Sequence, residues 1–141
     1  MGRTNYGPLL GKDFKGIVGS VTIVLQIQFD WETWTLPLEA ESLKNLQFKE
    51  FQWNEDRLPA FHRTALEIVD EPRDTFLVCP GVKGVVWVNG HNLGRYWNVG
   101  PTRTLYVPGC WLKRGANEVV VFELERLAQP YLRFVDCPDL G

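Results

Sequence analysis

The chain has 141 residues, of which 45% are hydrophobic and 23% charged, and fifteen Lys and Arg face seventeen Asp and Glu. That length fits one domain with a core of its own, needing neither metal nor disulfide. A net charge of -2 excludes the basic surface that a nucleic-acid partner requires. No apolar run reaches the ~20 residues of a membrane span, and no apolar stretch typical of a signal peptide follows Met1. What remains unusual is six Trp, eight Phe and four Tyr, which fit either a β-rich core or a surface built for stacking.

In chain order, Ile17 to Phe29 places Ile17, Val21, Ile23, Leu25, Ile27 and Phe29 on odd positions, with Ser20, Thr22, Gln26 and Gln28 between them. That period of two predicts one strand with a wetter second face. Residues 31–38 read as a second β-like piece ended by Pro37. Residues 39–52 have the only helical spacing, through Leu43, Leu46 and Phe51, and predict a short helix or an irregular loop. Strands follow at 61–69 and 74–79, separated by the turn-like Asp70-Glu71-Pro72-Arg73. GVVWV at 84–88 then runs into Asn89-Gly90, the strongest short hairpin signal, because a type I′ turn needs positive φ at both central residues. TLYV at 104–107 stops at Pro108-Gly109, and YLRFV at 131–135 closes the set. Between them, NEVVVFELE at 117–125 carries a continuous apolar run, as a strand buried on both faces does. Together these predict an all-β sandwich of jelly-roll type, with at most one short helix near 40–50 and a single domain over 1–141.

The hairpin register expected from a two-residue loop sets Val88 opposite His91, Trp87 opposite Asn92, Val86 opposite Leu93 and Val85 opposite Gly94. Val86, Val88 and Leu93 then share an apolar face with His91 at its rim. The other face carries Val85, Trp87, Asn92 and Gly94, and Arg95, Tyr96 and Trp97 extend it. An indole beside a carboxamide and an open glycine fits a sugar platform. The same residue types more often pack a core or a domain interface. The binding or interface candidates are therefore Trp87, Asn89, His91, Asn92, Arg95, Tyr96 and Trp97. Gly90, Gly94, Pro101, Pro108 and Gly109 are expected to shape turns.

No catalytic set emerges. Ser20 and Ser42 lie outside any nucleophile elbow, and His62 and His91 pair with no nucleophile. Asp70, Glu71, Asp74, Glu118, Glu123 and Glu125 read as solvated turn or strand-end acids, with Glu67 alone set among apolar neighbours in a strand. GVKG at 81–84 lacks the Lys-Ser/Thr and helix of a phosphate loop. Cys79, Cys110 and Cys137 make no zinc spacing and read as small buried hydrophobes, with one disulfide open to a secreted parent. Neither a cofactor nor a metal is expected.

GVVWVNGHNLGRYW (84–97) and GPTRTLYVPGCWLKRGANEVVVFELE (100–125) closely resemble the C-terminal region of the glycoside hydrolase family 35 β-galactosidases. MGRTNYG (1–7), KGIVGSV (15–21) and DTFL (74–77) match in the same order, and the tail is similar to that of animal β-galactosidase-1-like members. Thr102 stands where the family usually has Gln, Cys110 where it has Pro, and His62 and Thr64 replace an aromatic and a glycine. The resemblance implies a galactose-binding-like jelly roll beside a catalytic TIM barrel, with retaining hydrolysis of terminal β-galactosides by two barrel glutamates outside this chain. It thus implies a noncatalytic accessory domain with the parent's barrel as partner. The alternative is a stand-alone carbohydrate-binding module whose platform centres on Trp87 and takes β-galactoside sugars. Self-association of the parent stays open. Family members occur in lysosomes, outside cells and in bacterial cytoplasm, so the compartment follows the parent.

Overall fold

A computed structural model describes residues 12, 16–17, 19–35, 37–53 and 59–141. Among them the strands are β1 (Thr22–Ile23), β2 (Gln26–Ile27), β3 (Ala60–Ile68), β4 (Thr75–Val78), β5 (Lys83–Val88), β6 (His91–Trp97), β7 (Thr104–Val107), β8 (Gly115–Glu123) and β9 (Phe134–Val135). One α-helix, α1 (Ala40–Lys44), and a 3-10 turn at Gly109–Trp111 complete the elements. Where the sequence reads as one domain, the chain forms two compact units, Met1–Leu36 and Pro37–Gly141. β1 and β2 pair with each other, while every later strand belongs to two further sheets.

In the first unit the alternating stretch from Ile17 to Phe29 is not one strand. Val24 takes a φ of 57°, and the chain doubles back so that Thr22 pairs with Ile27 and Ile23 with Gln26. Two antiparallel strands joined at Val24-Leu25 keep the same period of two, so alternation alone could not reveal the turn. None of the described residues from 31 to 35 joins a strand.

The second unit holds an antiparallel sandwich. Its four-stranded sheet runs β3-β8-β5-β6 and its three-stranded sheet runs β7-β4-β9. β8 is central, paired with β3 from Ala60↔Glu123 to Ile68↔Gly115 and with β5 from Gly84↔Glu123 to Val88↔Val119. Its alternate residues serve two cores. Val119 and Val121 join Val86, Val88, Tyr96, Leu77, Val107 and Leu112 between the sheets. Val120 and Phe122 face the other way, with Trp87, Phe61 and Val85, under Leu38, Leu43, Leu46 and Phe48. The helical spacing of Leu43 and Leu46 is thus a lid on the outer face of the larger sheet. The helix itself covers only Ala40–Lys44 and buries Leu43. Phe61 and Phe122 stack at 4.4 Å between ring centroids.

The cysteines depart from expectation. All three are free, Cys79 half-buried but Cys110 and Cys137 exposed. Cys110 sits in the 3-10 turn and Cys137 in the C-terminal tail, where no sheet face covers them. Burial pushes the Cys79 thiol up to about 11.

Truncating Trp87, which is 1% exposed, removes the largest side chain shared by the sheet and its lid. Trp87→Ala is expected to cost about 3–5 kcal/mol, read as a lower urea midpoint at unchanged slope. An unshifted midpoint would remove Trp87 from the core.

Candidate functional site

The Asn89-Gly90 turn forms as its sequence demands, with φ of 48° and 82°, and pairs Val88 with His91 and Trp87 with Asn92. Beyond that point the register slips. Val86 pairs with Gly94 and Val85 with Arg95, because Leu93 is an extra residue in a bulge. Gly94 takes a φ of 101° there, and the Asn92 side-chain oxygen accepts the Gly94 N–H at 2.7 Å. Asn92 therefore fastens the bulge.

The expected platform does not present an indole. Trp87 lies under α1 with Phe61 at 6.4 Å, so its ring offers no face to a sugar. Asn89 donates to the Trp111 carbonyl and to the Asn117 side-chain oxygen, both at 2.8 Å, and accepts the Glu118 N–H at 3.0 Å. His91 is exposed and stacks on Trp111 at 4.6 Å. Arg95 is exposed, whereas Tyr96 is buried. Trp97 is half-buried with the Lys83 ammonium 4.7 Å from its centre. His91 and Trp97 stand at opposite ends of one strand, about 20 Å apart, so the candidates do not converge. Among the turn residues, Gly109 donates its N–H to Asp74 at 2.8 Å, and a side chain there would meet the Arg73 backbone. Pro108 precedes the 3-10 turn, and Pro101 is exposed between β6 and β7.

Sequence reasoning missed Glu123. It is fully buried and accepts the Tyr96 hydroxyl at 2.5 Å. It also accepts the backbone N–H groups of Lys83, Glu125 and Arg126 at 3.1, 2.9 and 3.2 Å. Burial, with the Glu123 carboxylate adding to it, pushes the Tyr96 hydroxyl far above its ordinary range.

Next to this network opens a groove of about 860 Å³ between residues 46–53, β3 and residues 126–132. Phe51 and Trp53 tilt together at 6.2 Å, and Phe51 meets the His62 ring edge-on at 5.6 Å. Tyr131, Gln52 and Gln129 complete the wall. Phe51, Trp53 and Tyr131 are each about half exposed or more. The buried His62 Nε2 finds no hydrogen-bond partner among the described residues. Burial lowers the imidazole below its ordinary 6.5, opposed by the charge of Glu123. The one sequence signal for this groove was Phe51 and Trp53 flanking Gln52 without a strand pattern to bury them. Among the described residues no three His, Cys, Asp or Glu gather to hold a metal ion.

Glu123→Ala is expected to cost about 3 kcal/mol or more, since the buried Tyr96 hydroxyl and three partly buried backbone N–H groups lose their acceptor, measured by chemical denaturation. Because His62 is depressed in the native state, the unfolded chain binds more protons below about 6.5. Stability then rises with pH between the depressed native value and 6.5. His62→Gln should flatten that part of a stability-against-pH curve, and an unchanged slope would assign it elsewhere.

The chain is similar to known proteins. The family described as "Beta-galactosidase, galactose-binding domain" matches residues 59–117, from just before β3 into β8. Human "Beta-galactosidase-1-like protein 2" is 41% identical over 99% of this chain and 22% of its own length. "Beta-galactosidase 1" of Dictyostelium discoideum is 37% identical over 92% of this chain and 22% of its own. "Beta-galactosidase 17" of Arabidopsis thaliana is 41% identical over 89% of this chain and 20% of its own. The chain thus spans about a fifth of the length of these relatives. The strands of the larger sheet fall within or beside the matched segment, so residues 59–117 match the galactose-binding domain family of the β-galactosidases, and the alignments to these relatives run nearly end to end in this chain.

Proposed function

We propose that the chain is a noncatalytic accessory domain of a β-galactosidase, packing on and stabilising the catalytic part of a parent that hydrolyses terminal β-galactosides. The observation that carries this reading is the alignment, nearly complete for this chain yet confined to about a fifth of each relative. The use made of the two best-placed carboxylates supports it. A retaining glycosidase needs one acid and one nucleophile free to face the scissile bond. Glu123 instead holds three backbone N–H groups and a tyrosine. Asp74 holds the Gly109 N–H and the Tyr106 hydroxyl at 2.8 and 2.7 Å. Those bonds keep the Asp74 carboxyl below its usual range, the opposite of what a general acid needs.

A purified chain given a chromogenic β-galactoside is expected to release nothing above buffer. A parent enzyme deprived of the matching segment should lose at least about 4 °C of thermal midpoint. Turnover by the isolated chain, or a truncated parent of undiminished midpoint, would each overturn this reading.

A further inference from the structure

We propose that the β1-β2 hairpin and the residues after it, through Trp34, form the surface on which the rest of the parent polypeptide docks. The occupant is a β-sheet of that polypeptide, which sets strands beside the open edges of the hairpin and apolar side chains on its faces. The inference rests on the accessory role and deepens it, by naming the surface and the chemistry of its partner. Among the described residues β1 and β2 have only each other as neighbours, so each leaves one edge unpaired.

Three observations converge on this surface. First, the hairpin lacks cover on both faces. Ile27 pairs with Thr22 and Ile23 with Gln26, and successive pairs point to opposite faces, yet Ile23 and Ile27 are both at least half exposed. At the turn, Val24 and Leu25 are 89% and 93% exposed. A lone two-stranded hairpin has little stability in water and gains it from a larger sheet. Second, residues 16–29 contain no charged side chain and no proline. Soluble proteins blunt an open strand edge with such residues, so an edge without them is suited to pairing. Third, the apolar side chains gather. Ile17, Ile27, Phe29, Trp31 and Trp34 line one hollow, and all five are half exposed or more. The Trp31 indole N–H already donates to the Gln28 carbonyl at 3.0 Å, which leaves its ring only apolar contact to make. Contiguous apolar surface of this kind marks an interaction site. Length decides the occupant. The human relative aligned over 99% of this chain includes the counterpart of the hairpin, and about four-fifths of that relative lies outside the alignment. A parent of that size holds chain enough to supply a sheet. A second copy joined through one edge would leave the other edge of each hairpin open.

The test compares hydroxyl-radical labelling of the full 141-residue chain with that of a full-length parent that contains it. Phe29, Trp31 and Trp34 are expected to label readily in the chain and at least about fivefold more slowly in the parent, as at a packed interface. Trp87, buried in the core, should label slowly in both. Backbone amides of residues 20–28 should exchange at least about tenfold more slowly in the parent, which reports strand pairing rather than side-chain cover alone. Leu25→Asp, at an exposed position, should leave the thermal midpoint of the isolated chain in place and lower that of the parent by at least about 4 °C. If that variant of the parent does not fold, labelling of the unaltered parent decides. Equal labelling of the three rings in chain and parent would overturn the proposal. So would protection that arises in the isolated chain as its concentration rises, which would assign the surface to a second copy. Protected rings without slower amide exchange would overturn the sheet as partner. Unchanged labelling beside a truncated parent that still loses stability would remove this surface alone and leave the accessory role standing.

Discussion

The second unit depends on a single buried carboxylate. Glu123 lies at the end of the central strand β8, where β3, β5 and the returning loop meet. A charge removed from water is tolerated only where donors replace the water, and four donors surround this one. Its satisfaction dictates neighbouring sequence. A side chain at Gly81 would overlap the Glu123 carboxylate itself, and one at Gly84 would overlap the Phe122 carbonyl and crowd the Tyr96 ring. The Gly-Val-Lys-Gly run is therefore no ligand loop. Its glycines clear the space in which an acid and a tyrosine meet.

The same device recurs at the other sheet with less burial. Asp74 joins the start of β4 to the 3-10 turn through Gly109 and to β7 through Tyr106. A third knot, around the fully buried Asn117, ties the hairpin to the start of β8. Asn117 donates to the Lys113 and Gly115 carbonyls at 2.7 and 2.9 Å and accepts from Asn89 and from the Lys113 N–H. Each knot links segments distant in sequence through one side chain that satisfies more than one polar group. Short strands alone supply few ladder bonds, so these side chains fix how the strands meet.

Much of the sandwich was legible because its signals are local. Asn89-Gly90 specifies its own backbone angles, TLYV forms β7 with the ends its sequence shows, and the apolar run of 117–125 marks the central strand. Four features were hidden, each for a physical reason. Gly94 marks a point where a strand can bulge, but it does not say which neighbour is the extra residue, so the slip at Leu93 stayed hidden. The doubling of 17–29 at Val24 preserves alternation and uses no turn residue. Glu123 reads as solvated because burial of an acid depends on donors brought from positions up to 40 residues away. The groove was hidden for the same reason, since its walls come from three separated segments.

The aromatic excess divides along the same line. Trp87, Tyr96, Phe61 and Phe122 are core residues, placed there by strand alternation and by one hydrogen bond for the tyrosine. Trp97 and Trp111 are half-covered by Lys83 and His91, which lie over their faces. Phe51, Trp53 and Tyr131 belong to neither group. The segment that lids the outer face of the larger sheet ends its apolar duty at Phe48, yet it continues with two more rings pointed at one groove. They lie outside the cluster around Trp87, although Phe51 meets the His62 ring of β3 edge-on. Phe48 and Phe61 serve both the cluster and the groove, so the wall of the groove is also the edge of the core.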